Sequence, residues 1–277
     1  MKTHDLKLEG GTAVITGAAS GIGLELAKQA NLLNMNLVLA DIDEEGLQKT
    51  LAELSIEKNK ILLIKTDVSS ESDIARLCEM TYANFGSVEL LCNNAGVCLN
   101  RLSWEYTQHD WDWLINVNLL SVSNAIRHFV PKMLKQNTRS HILNTASAAG
   151  LISTPGMSAY NASKHAVVTL SETLYQEFLD LNAPISVSIL CPAWIPTKIH
   201  ESSRNRPERY SSKDNLNNDY SRVYEQNMEN AVKAGKLSTQ QVAKMSFEGI
   251  LNNQLYIIPH QKITSLIEQR ILKIIQN

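Results

Sequence analysis

A tyrosine and a lysine four positions apart, Tyr160 and Lys164, are the residues of this sequence most suited to acid–base chemistry. They open a predicted helix, in which residues four apart lie on the same face. A free phenol titrates near pH ~10, and one ammonium group about 4 Å away contributes about 4 kcal/mol at an effective dielectric near 20, or about three pKa units. Lys164 could therefore make Tyr160 an acid or base at neutral pH. In isolation, a surface tyrosine beside a lysine is the simpler interpretation.

Two further polar residues strengthen the catalytic interpretation. Ser147 lies thirteen residues before Tyr160, just after the predicted strand Ile142–Thr145. The carboxyl ends of parallel strands face the ligand crevice, so its hydroxyl could donate a hydrogen bond to a carbonyl oxygen that gains charge in a reaction. Asn118 lies inside a long predicted helix although asparagine is a poor helix former. This position suggests a specific hydrogen bond, and the alternative is an exposed polar residue.

Three glycines, Gly17, Gly21 and Gly23, follow the predicted strand Thr12–Thr16 and open the next helix. Gly17 can leave the strand in a tight turn, Gly21 lets the backbone approach a pyrophosphate, and Gly23 lets helix and sheet pack closely. The N–H groups of the helix N-terminus then attract phosphates. The spacing differs from the general G-x-G-x-x-G fingerprint, but its place between strand and helix predicts dinucleotide binding.

The second predicted strand ends at Asp41, 24 residues after Gly17. A carboxylate at this point hydrogen-bonds the adenosine ribose hydroxyls and repels a 2′-phosphate. No arginine or lysine lies in the glycine loop or immediately after Asp41. The pattern therefore favours NAD over NADP as cofactor. The alternative interpretation is that Asp41 only caps the turn that follows it.

Short apolar runs alternate with longer helical stretches along the chain, which predicts right-handed βαβ units and a parallel sheet covered on both faces. The predicted strands are Thr12–Thr16, Leu37–Ala40, Ile61–Ile64, Val88–Cys92, Ile142–Thr145, Ile185–Leu190 and Leu255–Ile258. The longer predicted helices are Ile22–Leu33, His109–Leu134 and Met157–Leu179. Because no Pro/Gly/Ser-rich linker precedes about residue 192 and no repeat is present, we expect one domain, residues 1–277.

Residues 194–235 are polar and lack any strand pattern, which is typical of a functional lid or a helical insertion within the domain. Four basic side chains of this segment (Arg204, Arg206, Arg209 and Lys213) could receive an anionic substrate. The alternative is a solvated surface on which nearby acids offset the charge, and we favour it because most charge runs are solvated faces.

The composition excludes several classes of protein. The 277 residues carry 26 Lys+Arg and 28 Asp+Glu, a balance that argues against a nucleic-acid partner. No apolar run reaches the ~18–20 residues of a membrane helix, and residues 1–10 lack a signal sequence. The four cysteines are scattered without metal-ligand spacing, so we expect no metal and a cytoplasmic location. The amphipathic segment Lys262–Ile275 predicts a helix that packs on its own domain or on a partner subunit, with a membrane surface less favoured.

Taken together, these motifs resemble the short-chain dehydrogenase/reductase family from about Gly11 to Thr197. The motifs that carry the resemblance are the TGAASGIG loop, Asp67-Val68, Asn93-Asn94-Ala95-Gly96, Asn118, Ser147, Tyr160 with Lys164, and Pro192. The resemblance implies a Rossmann-like, doubly wound α/β sheet of about seven strands in a three-layer αβα architecture. It also implies a homodimer or homotetramer whose main interface is formed by the two long helices around Asn118 and Lys164.

The resemblance also implies roles for the polar residues. Tyr160 would be the catalytic acid or base, and Lys164 would bind the nicotinamide ribose and lower the pKa of Tyr160. Ser147 would orient the alcohol or carbonyl, and Asn118 would hold a proton-relay water. Besides Tyr160 and Lys164, the implied cofactor-binding residues are Gly17, Ser20, Gly21, Ile22, Gly23, Asp41, Ile42, Asp67, Val68, Asn94, Ala95, Gly96, Pro192 and, near the nicotinamide carboxamide, Ile195 and Thr197. Within this set, the adenine would contact Asp67 and Val68, and the adenosine ribose would lie beside Asn94 and Ala95.

The predicted function is hydride transfer between NAD and a secondary alcohol or ketone. Ser147 and Tyr160 would hold the reacting oxygen. The remaining candidate lining residues are mostly apolar, which suggests a hydrophobic substrate: Val97, Leu99, Trp104, Leu151, Met157, Trp194, Ile199 and Tyr210. Several of these residues could instead fill the core. Two alternatives are an NADPH-dependent reductase of the same family and a non-catalytic, dinucleotide-sensing binding protein.

Overall fold

Seven parallel strands form a sheet in the computed structural model of this protein, which describes residues 6–54, 60–136, 138–211 and 219–276. The strands are β1 (Thr12–Thr16), β2 (Asn36–Asp41), β3 (Ile61–Lys65), β4 (Leu90–Asn93), β5 (Ser140–Thr145), β6 (Ile185–Leu190) and β7 (Tyr256–Ile257). Their order is β3-β2-β1-β4-β5-β6-β7 and each neighbouring pair is parallel. The predicted doubly wound α/β sheet is confirmed, and the chain reverses direction across it between β1 and β4, where ligands bind in such folds.

Helices cover both faces of this sheet and give the predicted three layers. They are α1 (Gly21–Leu32), α2 (Glu44–Ala52), α3 (Glu71–Phe85), α4 (Gln108–Ile115), α5 (Ser121–Lys135), α6 (Ser158–Asp180), α7 (Asp219–Lys233), α8 (Thr239–Leu251) and α9 (Lys262–Ile275). Alternate β1 side chains enter opposite cores: Val14 packs with residues of α3, α5 and α6, whereas Ile15 packs with residues of α1 and α8. No described helix is both long enough and apolar enough to span a lipid bilayer.

The long helix predicted over His109–Leu134 is interrupted in the structure. Between α4 and α5 lies a single π-helical stretch, Asn116–Leu120, in which the N–H of Ser121 bonds the carbonyl of Asn116. A π-turn inserts one residue into the helical ladder and commonly occurs at functional sites. The predicted helical stretch is present over residues 108–135 apart from this π-turn, and the apolar periodicity carries no signal for the inserted residue.

The polar segment predicted as a lid contains short helices rather than strands. The part described begins with two 3₁₀ stretches, Lys198–Asn205 and Glu208–Tyr210, and resumes with α7. We call residues 197–210 the strap. Residues 212–218, and with them Lys213, lie outside the described residues.

A buried carboxylate, Asp110, attaches the strap to the body of the domain. Its side chain is fully buried, accepts a hydrogen bond of 2.7 Å from Arg206, and lies 3.4 Å from the guanidinium of Arg101. Asp110 also completes the capping box of α4 with Thr107. The Arg206 guanidinium lies over the ring of Trp113, 5.1 Å from its centre. Arg206 is therefore engaged inside the protein and is not the anion-receiving side chain that the sequence allowed.

We expect Asp110→Ala to destabilise the protein by about 3–5 kcal/mol, because it leaves two largely buried guanidinium groups without their carboxylate. Urea unfolding measures this change. Asp112→Ala on the same helix is the matched control, since Asp112 accepts only one exposed hydrogen bond, from Gln108, and we expect it to change stability by less than about 0.5 kcal/mol. Equal effects of the two substitutions would contradict the anchoring role of Asp110.

Candidate active site

One crevice runs along the carboxyl edge of the sheet, where the ends of six strands supply its floor. The strand-end residues that line it are Gly17, Asp41, Thr66, Asn94, Thr145 and Pro192. The opposite wall comes from the strap, α7 and the first turn of α9. The parallel connections dictate this arrangement, because every strand of such a sheet ends at the same edge. The crevice therefore gathers residues that are far apart in the sequence.

The glycine loop has the backbone geometry that its sequence predicts. Gly17 and Gly21 have φ angles of 69° and 59°, in the left-handed region that favours glycine. A Cβ on Gly23 would lie 2.0 Å from the carbonyl oxygen of Gly17, so no side chain fits there. The loop thus folds back on itself between β1 and α1, and Gly21 and Ile22 at the start of α1 line the crevice. The first N–H groups of a helix have no partner within that helix. This cradle fits a pyrophosphate group.

A threonine that the sequence analysis did not single out, Thr16, fixes the far side of the glycine loop. Its hydroxyl oxygen accepts hydrogen bonds from the backbone N–H groups of Asn94 (3.0 Å) and Ala95 (3.1 Å). The Asn94 amide in turn donates to the carbonyl of Thr16 at 3.1 Å. These contacts join the ends of β1 and β4, the strands between which the sheet reverses. These hydrogen bonds join residues 78 and 79 positions apart in the sequence, so they could not be predicted without knowing that β1 and β4 are paired.

Asp41 lies at the crevice edge and is held by backbone donors on both sides. One carboxylate oxygen accepts from the N–H of Ala19 in the glycine loop, and the other from the N–H of Asp43, each at 3.0 Å. The cap of α2 is Asp43, which accepts from the N–H of Gly46. The contact with Asp43 is the turn cap that the sequence allowed as the alternative, and the contact with Ala19 also ties Asp41 to the glycine loop. Burial raises the pKa of Asp41, although the hydrogen bonds from Asp43 and Ala19 oppose this shift.

Tyr160 and Lys164 lie side by side on α6, with the lysine nitrogen 5.8 Å from the centre of the phenol ring. The ammonium group donates a 2.8 Å hydrogen bond to the carbonyl of Thr145, at the end of β5. Ser147 lies close enough to Tyr160 to lower its pKa, and its hydroxyl donates to the carbonyl of Pro192 at 3.4 Å. Its hydroxyl also accepts from the N–H of Ala149 at 3.1 Å. The structure therefore brings the predicted phenol, ammonium and hydroxyl groups together in one buried site.

The pKa values of the pair differ from the expectation based on charge alone. Burial raises the pKa of Tyr160, the proximity of the Cys98 thiol adds to the increase, and the hydrogen bond with Ser147 opposes it. Burial lowers the pKa of Lys164 to about 8. Desolvation disfavours both charged forms, and in this site it outweighs their mutual attraction. In the protein without ligands, Lys164 therefore does not lower the pKa of Tyr160 below its ordinary value.

Asn118 lies in the π-helical stretch and is fully buried, which excludes the exposed position considered from the sequence. Its side-chain oxygen accepts from the N–H of Val97 at 2.8 Å. Its amide nitrogen donates to the carbonyl of Val97 at 2.9 Å and to the hydroxyl of Ser163 at 3.0 Å. The side chain thus ties the loop after β4 to helix α6 at Ser163, the residue directly before Lys164. Its contact with a relay water stays a prediction.

An apolar cavity adjoins Tyr160 and ends the crevice. Its walls include a buried cluster of three sulfur-bearing side chains and a valine: Cys98, Met157, Met228 and Val232. Trp194 and Ile199, both predicted to line the substrate pocket, pack against this cluster. Met228 and Val232 come from α7 and were missed, although their spacing of four residues is the signal of a buried helix face.

The other predicted lining residues divide into two groups. Val97 lines the crevice as predicted. Leu151 packs against a separate cluster around Val122 and Val167 and does not face the crevice. Three further predictions were wrong: Leu99 and Tyr210 are buried in the main core, and Trp104 is 78% exposed. Periodicity alone cannot distinguish a pocket wall from a core position, because both are apolar and buried.

The remaining basic residues of the strap differ in what they contact. Arg209 pairs with Asp67, and Arg204 donates to the carbonyls of Lys198 and Glu201 while also lining the crevice. Asp67 lines the crevice beside Val68, as the resemblance implied.

The cysteines are all free and buried, and no cluster of metal-binding side chains occurs among the residues described.

Comparison with known proteins places this arrangement in context. A family model described as short chain dehydrogenase matches residues 11–208. A CLA biosynthesis dehydrogenase/reductase of Lactiplantibacillus plantarum is 33% identical over 262 residues, 94% of this chain and 92% of that protein. A 3beta-hydroxysteroid dehydrogenase 2 of Eggerthella lenta is 34% identical over 211 residues, 76% and 80% of the two chains. A crystal structure of a short chain dehydrogenase/reductase from Burkholderia phymatum in complex with NAD has a TM-score of 0.94 and 39% identity, covering 97% of this chain and 95% of that one.

The lowered pKa of Lys164 predicts a pH-dependent change in stability. Because the unfolded lysine titrates near 10.5 and the folded one near 8, the unfolded state binds more protons between these values. Burial of the charged Lys164 therefore lowers the free energy of unfolding most below about pH 8. The free energy of unfolding of the wild type then increases as the pH rises towards 10.5. We expect the free energy of unfolding of Lys164→Met, relative to wild type, to fall by about 2–3 kcal/mol between about pH 7 and about pH 10.

Urea unfolding of both proteins at the two pH values tests this prediction. The exposed Lys244→Met on α8, which is 71% accessible, serves as the reference for pH effects common to all variants. A difference between Lys164→Met and wild type that does not change with pH would show that Lys164 is not desolvated in solution.

Proposed function

Because the chain belongs to the short-chain dehydrogenase family, we propose that it transfers a hydride between NAD and a hydrophobic secondary alcohol or ketone. The protein is an oxidoreductase that acts on CH–OH groups. The observation that carries the proposal is the grouping of Tyr160, which is partly buried, with the buried Ser147 and Lys164 in the crevice, next to its apolar cavity. A phenol, a hydroxyl and an ammonium in this order are what proton exchange with an alcohol oxygen requires.

The residues of the crevice fit a dinucleotide. Gly17 and Gly23 leave no room for a side chain, and the absence of a side chain at Gly21 lets a pyrophosphate approach the backbone N–H groups closely. Asp41 presents a carboxylate at the crevice edge, which favours ribose hydroxyls and disfavours a 2′-phosphate. Neither the glycine loop nor the residues directly after Asp41 supply a cation that could neutralise such a phosphate. These features support NAD over NADP, the cofactor of the alternative reductase.

The mechanism follows from the positions of the side chains. When bound, the nicotinamide ring supplies the hydride acceptor for oxidation and the donor for reduction. In oxidation, deprotonated Tyr160 takes the proton of the substrate hydroxyl, while Ser147 donates a hydrogen bond to the same oxygen. Lys164, charged in most molecules at neutral pH, stabilises the phenolate. In reduction, Tyr160 returns the proton to the oxygen.

The apolar cavity supports a hydrophobic substrate. Cys98, Met157, Met228 and Val232 offer it no charged group, and methionine side chains adapt to irregular apolar shapes. A hydroxysteroid, which is a hydrophobic secondary alcohol, appears in the name of the Eggerthella lenta relative. We therefore propose a substrate whose carbinol lies at Tyr160 and whose apolar part extends towards α7.

Two other features of the proposal rest on the resemblance. A non-catalytic dinucleotide sensor would not require Tyr160, Lys164 and Ser147 to line the same crevice, and we favour the enzyme for that reason. The homodimer or homotetramer and the cytoplasmic location stay predictions. Leu120 and Leu179, at 42% and 54% exposure, lie next to or on the helices expected at the interface.

Tyr160→Phe should lower turnover by about 10²–10⁴-fold, because it removes the proton donor while keeping the ring. NADH binding should remain close to that of wild type. The measurements are NADH formation with a panel of secondary alcohols of increasing apolar size, and NADH titration by fluorescence. Tyr106→Phe is the matched control: the Tyr106 hydroxyl is also buried but donates to the Leu99 carbonyl, outside the crevice. Near-normal turnover of Tyr160→Phe would remove this residue from the mechanism.

Asp41→Asn should reduce the preference for NAD over NADP by about tenfold or more, because a hydrogen bond to a charged group is worth about 1.5–3 kcal/mol. The ratio of dissociation constants for NADH and NADPH measures the preference. Asp43→Asn, which changes the neighbouring helix cap, should leave that ratio unchanged. Tighter binding of NADPH than NADH by the wild-type protein would overturn the assignment of Asp41.

A further inference from the structure

We infer that Arg209 is a positioning residue for the dinucleotide, which closes the adenosine end of the crevice by pairing with Asp67. The inference rests on the proposed function, because it takes the crevice to hold NAD. It adds a residue of the strap to the cofactor site, at a position beyond the end of the resemblance at Thr197. Three features of the molecule support this role: the contacts of Arg209, the path of the strap along the crevice, and the carboxylates of Asp41 and Asp67 beside it.

Arg209 reaches across the crevice edge to a residue 142 positions away in the sequence. Its guanidinium lies 2.5 Å from one carboxylate oxygen of Asp67 and donates to the hydroxyl of Ser69 at 2.7 Å. The other oxygen of Asp67 accepts from the Ser69 hydroxyl at 2.6 Å and from its backbone N–H at 3.0 Å. The guanidinium also lies over the ring of Tyr210, 4.8 Å from its centre. Arg209, Asp67 and Ser69 therefore form a closed hydrogen-bonded group.

The strap follows the crevice from the glycine loop to the residues after β3. At its start, Thr197 lies against the glycine loop, where a Cβ on Gly21 would be 3.3 Å from the Thr197 methyl group. Further along, Arg204, Asn205 and Pro207 line the crevice. At its end, Arg209 meets Asp67, which follows β3. The glycine loop is expected to hold the pyrophosphate and Asp67 to adjoin the adenine, so the strap spans the adenosine half of the predicted dinucleotide site.

The two ion pairs that hold the strap differ in exposure. Arg206 and Asp110 are 11% and 0% exposed at their side chains, whereas Arg209 and Asp67 are 49% and 17% exposed. Breaking the buried pair would leave a desolvated charge, but water can replace the partners of the outer pair at little cost. The Arg209–Asp67 pair is thus the contact that can open to admit a dinucleotide while Arg206 keeps the strap attached.

Charge gives the outer pair a second effect on the ligand. Asp41 and Asp67 both line this half of the crevice, and a dinucleotide brings an anionic pyrophosphate to it. Among the residues described, Asp41 has backbone hydrogen bonds but no cationic partner. Pairing with Arg209 neutralises the charge of Asp67, which lowers the repulsion that the pyrophosphate would meet. Loss of Arg209 should therefore weaken binding both by opening the strap and by exposing this carboxylate.

The test is the dissociation rate of NADH from Arg209→Gln, measured by stopped-flow fluorescence with the full-length protein. We expect the rate to rise about two- to fivefold, the range of an exposed ion pair. Arg209→Lys should recover part of the loss, because it keeps the charge without the paired donors. Lys28→Gln is the matched control, since it breaks an ion pair with Glu25 and Glu53 on the other side of α1. We expect this control to leave the rate unchanged.

Ligand fragments localise the effect. Arg209→Gln should weaken the binding of ADP-ribose, which contains the adenosine end, and should leave that of nicotinamide mononucleotide unchanged. An unchanged or slower NADH dissociation rate in a folded Arg209→Gln variant would overturn the inference, as would an equal effect on both fragments. If the wild-type protein bound neither NADH nor ADP-ribose, the proposed function itself would fail, so the two failures are distinguishable.

Discussion

The burial of one ammonium group beside one phenol is the constraint on which the site depends. Removing Lys164 from water lowers its pKa to about 8, and a lysine in that environment needs a fixed acceptor. The carbonyl of Thr145 provides it, because β5 ends where α6 passes. The same strand end leads to Ser147, which reaches Tyr160. A single strand–helix junction thus accounts for the acceptor, the hydroxyl and the orientation of the pair.

The positions of these groups depend in turn on polar contacts inside the domain. Asn118 joins the loop after β4 to α6, and Thr16 joins the ends of β1 and β4. Both side chains are buried, and the hydrogen bonds named are 2.8–3.0 Å long. Loss of such a contact would leave a desolvated donor or acceptor, which costs more than the bond itself contributes. The site is therefore held by its polar neighbours as well as by the apolar core.

The sequence predicts the sheet well and the strap poorly, for a physical reason. Strand and helix positions follow from local periodicity, so β1 and β6 occur at their predicted bounds and α9 does as well. The π-turn around Asn118 has no periodic signal. The partners of Arg206 and Arg209 lie 96 and 142 positions away, and only the folded chain brings them together. Tyr160 and Lys164 were predictable from their spacing because they lie one turn apart on the same helix, and Ser147 because it follows the end of β5.

The residues proposed for the cofactor lie in one part of the chain, whereas the apolar cavity also includes residues of α7. The family model matches residues 11–208, which contain the glycine loop, Asp41 and the Tyr160–Lys164 pair. Met228 and Val232 lie beyond that match, on α7. Tyr224 of this helix packs closely against Gly156, since a Cβ added to the glycine would lie 2.5 Å from the Tyr224 ring. Gly156 directly precedes Met157 and the start of α6. This contact therefore sets the distance between Tyr160 and the α7 side of the apolar cavity. Changes in α7 can therefore reshape the cavity without moving the groups that exchange the proton.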